Sequence, residues 1–206
     1  MLNDAFRRIG LVAALLLAMS AAPATAAARA ASDPGQFVQS LAQEAIEDLG
    51  ALADSEAQRI ARFRTIFAEA FDVPLIARFV LGRYWRQATE SERAEYVKLF
   101  DELVVQTYVR RFNEFNSARI RVLTTGKPNE DNDVIVGVEA LVAGRPPVRL
   151  DVRVRQSGGD YRVIDVAIEG VSMAITQRDE FASVIQRGGG RIEALLTSLR
   201  EKVGQR

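Results

Sequence analysis

The 206-residue chain contains no cysteine and no histidine. Those absences remove the usual zinc, copper and haem ligand sets, every Cys-His pair and every Ser-His-Asp arrangement, and with them most hydrolase chemistry. Stability must then come from a core alone, without disulfides. Charge of one sign is lacking too: 27 Lys and Arg face 27 Asp and Glu. Phosphate-backbone binding needs a clear basic excess, so no nucleic-acid partner is expected. Beyond the start of the chain no apolar run approaches the roughly 20 residues of a spanning helix.

The start itself reads as a secretory signal. Arg7 and Arg8 form a short basic region, Ile9 to Met19 an apolar one, and Ala24-Thr25-Ala26 a small-residue cleavage site. The expected signal peptide is residues 1–26, with cleavage as late as 31, and one domain over 32–206. Losing 26 of 206 residues leaves 180, and losing Arg7, Arg8 and Asp4 takes the charged residues to 25 basic and 26 acidic. A domain of that size buries roughly 70% of its unfolded surface in one core. No cysteine stands at the cleavage region to carry a lipid anchor, so a soluble, monomeric product outside the cytoplasm is expected.

Four helices are predicted first. Asp33-Pro34 caps a helix carrying Phe37, Leu41, Ala45, Ile46 and Leu49; Ser55 with Gln58 caps a second carrying Ile60, Phe63, Ile66, Phe67, Ala70 and Phe71. Pro74 to Gly82 is a short third helix, apolar nearly all round and therefore expected to be buried. Thr89 with Glu92 opens a long fourth, running to about Asn116 over roughly 40 Å. Its apolar face holds Tyr96, Phe100, Val104, Tyr108 and Phe112, and its other side, with Glu95, Asp101, Glu102 and Gln106, is expected to face water.

After Asn116 the apolar period changes from about 3.6 to 2, the mark of strands. Arg119 to Thr125, Val134 to Val142, Val148 to Arg155 and Tyr161 to Ile168 are separated by turn residues, which implies an antiparallel meander. Along the third, Val148, Leu150, Val152 and Val154 alternate with Arg149, Asp151, Arg153 and Arg155, giving one apolar and one solvated face. Ser172 caps a helix ending at Gly188-Gly189-Gly190, and Arg191 to Val203 forms the last. Helices, then a sheet, then helices make the class α+β.

Asp165 to Gly189 passes from strand directly into helix, which makes a crease lined by Val166, Ile168, Val171 and Met173. Within it, Asp165-Val166, Glu169-Gly170-Val171-Ser172, Gln177-Arg178 and Phe181-Ala182-Ser183-Val184-Ile185 resemble the C-terminal signature of the MlaC, or toluene-tolerance, family of periplasmic phospholipid carriers. Arg78 to Arg93, RFVLGRYWRQATESER, is similar to that family's helical motif. The resemblance covers nearly the whole chain after the signal. It implies an NTF2-like fold, a four-stranded antiparallel sheet wrapped by several helices around a lipid cavity. It also implies a non-enzymatic shuttle in the periplasm that needs no cofactor and no metal and carries phospholipid as cargo, maintaining outer-membrane lipid asymmetry. The implied partners are an outer-membrane lipoprotein with porin and an inner-membrane ABC transporter with an MCE-domain subunit. A branch associated with hopanoid lipids shares the same motifs, so head group and transport direction stay open.

The expected lining is Val104, Tyr108 and Phe112 from the long helix, Leu150, Val152 and Val154 from the sheet, and Val166, Ile168, Val171 and Met173 from the crease. Large rigid groups such as Phe79, Tyr84, Trp85, Phe100 and Tyr108 either prop that cavity open or fill a dry core; apolar stripes alone do not decide. Tyr84 and Trp85, with Arg83 and Arg86, form either a lipid-contacting mouth or a buried anchor with solvated arginines. The row Arg149, Arg153, Arg155 is either a docking surface or the wet face of the sheet. Asp165 has two readings as well. Facing inward it would suit an NTF2-like isomerase or dehydratase whose carboxylate is tuned by an apolar site; facing outward it would not. A non-lipid interaction module with a filled core is the remaining alternative. The three glycines before the last helix fit a phosphate loop less well than a helix-ending turn, since no Gly-Lys-Ser/Thr follows.

Overall fold

A computed structural model describes residues 33–52, 55–112 and 118–204, leaving out the side chains of 110–112 and 157. The expected signal segment lies outside these residues. Helices α1 (Pro34–Ala51), α2 (Glu56–Ala70), α3 (Val73–Leu81), a single-turn α4 (Tyr84–Gln87) and α5 (Glu90–Phe112) come first. Strands β1 (Arg119–Thr125), β2 (Asp133–Leu141), β3 (Val148–Ser157), β4 (Asp160–Ile168) and β5 (Val171–Ser172) follow, then helices α6 (Met173–Arg187) and α7 (Ile192–Gly204).

The helix starts use the expected caps. Asp33 accepts from the Gln36 N–H at 2.9 Å. Thr89 and Glu92 satisfy each other's backbone amides at 2.7 and 3.3 Å, a reciprocal capping box. Burial of α3 is one-sided instead of complete. Val73, Ala77, Val80 and Leu81 are buried, but Phe79 is 43% exposed, and the Arg178 guanidinium lies 5.3 Å above its ring. A cation over the aromatic face makes that exposed ring tolerable.

The polar side of α5 meets water as expected, and from there it also pairs with two neighbouring helices. Arg64 of α2 binds Asp101 and Glu102, and Arg200 of α7 binds Glu95 at 2.7 and 2.9 Å. Between these contacts Val105 and Val109 are fully buried. At the centre of the helical cluster the Tyr96 ring meets Phe181 edge-on at 6.1 Å, and its O–H donates to the Ala77 carbonyl at 3.1 Å. Burial drives the Tyr96 phenol far above its ordinary pKa, so it stays a donor.

The three glycines end α6. Their amides donate back to the carbonyls of Val184, Gln186 and Ile185 at 2.9–3.2 Å, so they are spent on closing the helix and the phosphate-loop reading falls. Gly188 also marks a close approach: a Cβ there would lie 2.1 Å from the Ala194 Cβ on α7. Its φ of −86° is one that alanine adopts freely, so sterics alone are at stake. Gly188→Ala should cost about 2 kcal/mol by overpacking, read as a lower urea midpoint. An unchanged midpoint would mean the two helices part without penalty.

The sheet is an antiparallel meander in the order β1-β2-β3-β4-β5. The fifth strand was not expected. It forms because Glu169 (φ 49°) and Gly170 (φ 81°) make a two-residue turn that folds Val171 and Ser172 back onto β4. A bulge between Val163 and Asp165 decides the facing of β4. Tyr161 and Val163 pair with Gln156 and Val154, while Val166 and Ile168 pair with Val152 and Leu150. Both apolar runs of β4 therefore continue the apolar row of β3, which strict alternation forbids.

Candidate functional site

One apolar sheet face has two fates. Toward one end Val134, Val136, Val138, Val152, Val154 and Val163 pack with Phe37 and Val38 of α1 into a dry cluster. Toward the other, the same face opens into a cavity of about 750 Å³, within the range of small-ligand sites. The boundary crosses the sheet as one line. Ile120, Ala140, Leu150 and Val166 line the cavity, whereas Val122, Val138, Val152 and Val163, next in line, do not.

Helices form the other walls. α1 changes role along its length: Phe37 and Val38 seal the dry end, and one turn on Ala42, Ala45 and Ile46 line the cavity. Phe63, Phe67 and Phe71 recur every four residues along the α2 side, with successive ring centroids 6.2 and 4.8 Å apart. Phe100, Val104 and Tyr108 repeat that spacing on α5. An ionic cluster joins α1 to α2 outside these walls: Arg62 binds Glu44 at 2.6 Å and also Asp48. Burial raises the Glu44 pKa above its usual value, opposed by the Arg62 charge.

Among the described lining residues only Tyr108, Asp165 and Gln177 carry polar side-chain groups. Asp165 is already committed. One carboxylate oxygen accepts from the backbone N–H of Val166 (2.9 Å) and of Ala174 (3.1 Å), and the other from the Ser172 hydroxyl at 2.6 Å. Ser172 in turn caps α6 through the Ile175 N–H at 3.1 Å. The carboxylate thus holds the crease closed between β4 and α6, at the cavity wall, while its residue pairs with Arg153 across the ladder.

Of the ten expected lining residues and the two of the expected mouth, the cavity brings together Val104, Tyr108, Leu150, Val166, Ile168 and Met173. Val152 and Val154 sit in the dry cluster, because Phe37 and Val38 cover their end of the face. Val171, on the outer edge of β5, is 55% exposed. Tyr84 and Trp85 belong to the helical cluster. Arg83 donates to the Tyr84 hydroxyl at 2.9 Å, and Arg93 donates to the Trp85 carbonyl at 2.7 Å with its guanidinium 5.5 Å above the indole. Arg83 and Arg93 brace aromatic anchors, and Arg86 is exposed. The Phe112 side chain lies outside the described residues.

The lining residues that were missed include the alanines of α1, the aromatic stripe of α2, Ile76 with Val80 of α3, and Ile120, Ala140 and Val148 of the sheet. The stripe was legible as apolar, but nothing in its spacing separates a cavity wall from a core. On the outer sheet face Arg155 is held by Asp133 at 2.6 and 3.1 Å and Arg149 lies 3.7 Å from Asp151, the pattern of a wet face. Among the described residues no group of His, Cys, Asp and Glu is placed to hold a metal, and no helix is long and apolar enough to cross a membrane.

These features define an α+β protein whose helices wrap an antiparallel sheet and enclose an apolar cavity against half of one face. The comparisons with known proteins agree: the chain belongs to the MlaC protein family, whose model matches residues 38–201. It is 23% identical over 169 residues to toluene tolerance protein ttg2D of Pseudomonas putida, spanning 80% of this chain and 78% of that one. Among solved structures it resembles a protein of Ralstonia solanacearum described as phospholipid-binding and solved in complex with a phospholipid. The TM-score is 0.68 at 24% identity, covering 81% of this chain and 97% of the other.

Proposed function

We propose that this protein is a periplasmic phospholipid shuttle. The observation that carries the reading is the apolar cavity between sheet and helices, whose few polar groups include a carboxylate already engaged by backbone amides. The family and the phospholipid-bound relative support the same cargo.

The energetics give such a carrier its task. Two acyl chains of about 30 methylenes at about 0.8 kcal/mol each oppose free diffusion between membranes by roughly 20 kcal/mol or more. A carrier has to cover the chains and can leave the head group in water. The signal-like start supports export from the cytoplasm; in this reading the protein accepts lipid at one membrane complex and delivers it at another, an outer-membrane lipoprotein with porin and an inner-membrane ABC transporter with an MCE-domain subunit. It makes and breaks no covalent bond. An isomerase reading would need Asp165 as its base, and that carboxylate is engaged by two backbone amides and the Ser172 hydroxyl.

Native mass spectrometry of protein purified from the periplasm, followed by organic extraction, tests this. One glycerophospholipid per chain is the expected result. A bare mass that gains no lipid from vesicles would sink the carrier reading, and an extract of hopanoid lipids would redirect it to that cargo.

A further inference from the structure

The cavity stops where the dry sheet cluster starts; Ile120, Leu150 and Val166 stand on that line from the sheet, and Phe71 stands on it from the helical side. Phe71 lines the cavity and packs against both the helical cluster and the sheet cluster. Its position is fixed from three sides. Its N–H donates to the Phe67 carbonyl at 3.0 Å, its ring lies 4.8 Å from the Phe67 ring, and its backbone bridges to Val163. The next amide, of Asp72, donates to the Val163 carbonyl at 3.0 Å. The sheet cluster it packs against is closed to solvent at Val163 and Val154.

Other parts of the wall are built from small side chains. Ala42 and Ala45 on α1 line the cavity at positions where a leucine would reach into it, and Ala140 on β2 pairs with Ile120 on one side and Val148 on the other, both also lining. A rigid ring at one limit and methyl groups at Ala42, Ala45 and Ala140 give the cavity a set depth.

We propose that Phe71 is the end wall that sets the acyl-chain length this protein accepts, and that Ala45 and Ala140 keep the space in front of it free. The proposal rests on the phospholipid reading above. Its physical basis is that a methylene which finds no room stays in water or forces the dry cluster apart. Each one left outside costs about fourfold in binding.

The test is competitive loading from vesicles containing equal amounts of dilauroyl, dimyristoyl, dipalmitoyl and distearoyl phosphatidylglycerol, with bound lipid read by mass spectrometry. Phe71→Ala should shift the bound profile toward longer chains by roughly fifteenfold, the gain of about two methylenes. Ala45→Leu should shift it toward shorter ones. Val154→Ala, a fully buried truncation in the dry cluster, should lower the unfolding midpoint and leave the profile as it is. If Phe71→Ala does not fold, Phe71→Leu and Ala45→Leu decide in its place. Loaded variants with the wild-type profile overturn the end-wall assignment alone. A wild type that takes up none of the four lipids overturns the carrier reading, and the assignment with it.

Discussion

Leu150→Asp is expected to abolish lipid loading while leaving the fold standing, and the same change at Val154 is expected to abolish the fold. The two positions lie on one strand, one face and two pleats apart. Leu150 is half-buried at the cavity wall, so in the empty protein water reaches a carboxylate there. Under acyl chains that carboxylate would be sealed from water without a partner, at a cost of several kcal/mol. An affinity loss of about a thousandfold follows from about 4 kcal/mol. Val154 has no exposed surface, and a charge there has no hydrated state compatible with the native packing. Lipid content after extraction, with urea midpoints measured in parallel, checks both. A Leu150→Asp protein that still carries lipid would mean the acyl chains lie elsewhere.

Asp165→Ala should cost about 3 kcal/mol of stability, one of the largest losses from a single side chain outside the clusters. The carboxylate accepts two backbone amides and one hydroxyl at the junction of β4, β5 and α6. Charge-assisted bonds of this kind contribute about 1.5–3 kcal/mol each when buried and less where water competes, and Ser172 loses the group that orients its cap. Asp165→Asn, which keeps an accepting oxygen, should retain more than half. Chemical denaturation of the three proteins reads the difference. Equal losses for Asn and Ala would show that net charge, not the hydrogen-bond geometry, matters there; an unchanged midpoint for Ala would mean the crease is held by packing alone.

Much of this architecture was legible in the chain. Asp33-Pro34, Ser55 with Gln58, and Thr89 with Glu92 are caps whose chemistry is complete within four residues, so the helix starts fell where expected. Strand β1 begins and ends at the predicted residues, and β2 to β4 agree within two. The two-residue β5 escaped notice, since its pairing depends on a positive φ at Glu169, an unusual residue for that conformation.

The candidate site was half legible. Alternation along β3 identified Leu150 and Val152 as facing the same way, and they do. It could not separate them, because their difference lies in what covers them: Phe37 and Val38 over the one, Ala42 and Ala45 beside the other. The facing of Asp165 stayed open for a related reason. A bulge leaves no mark in the apolar pattern except two runs out of phase, which is what Tyr161-Val163 and Val166-Ile168 are.

The sequence by itself determined the caps, the change of period after Asn116, the two-faced sheet and the family, since all of these rest on neighbours a few residues apart or on motifs read directly. The tertiary structure alone decided how a single apolar face is divided between a dry core and a cavity. That division depends on the size of side chains brought from α1 and α2 across the fold, and no local pattern records which of them will meet the sheet.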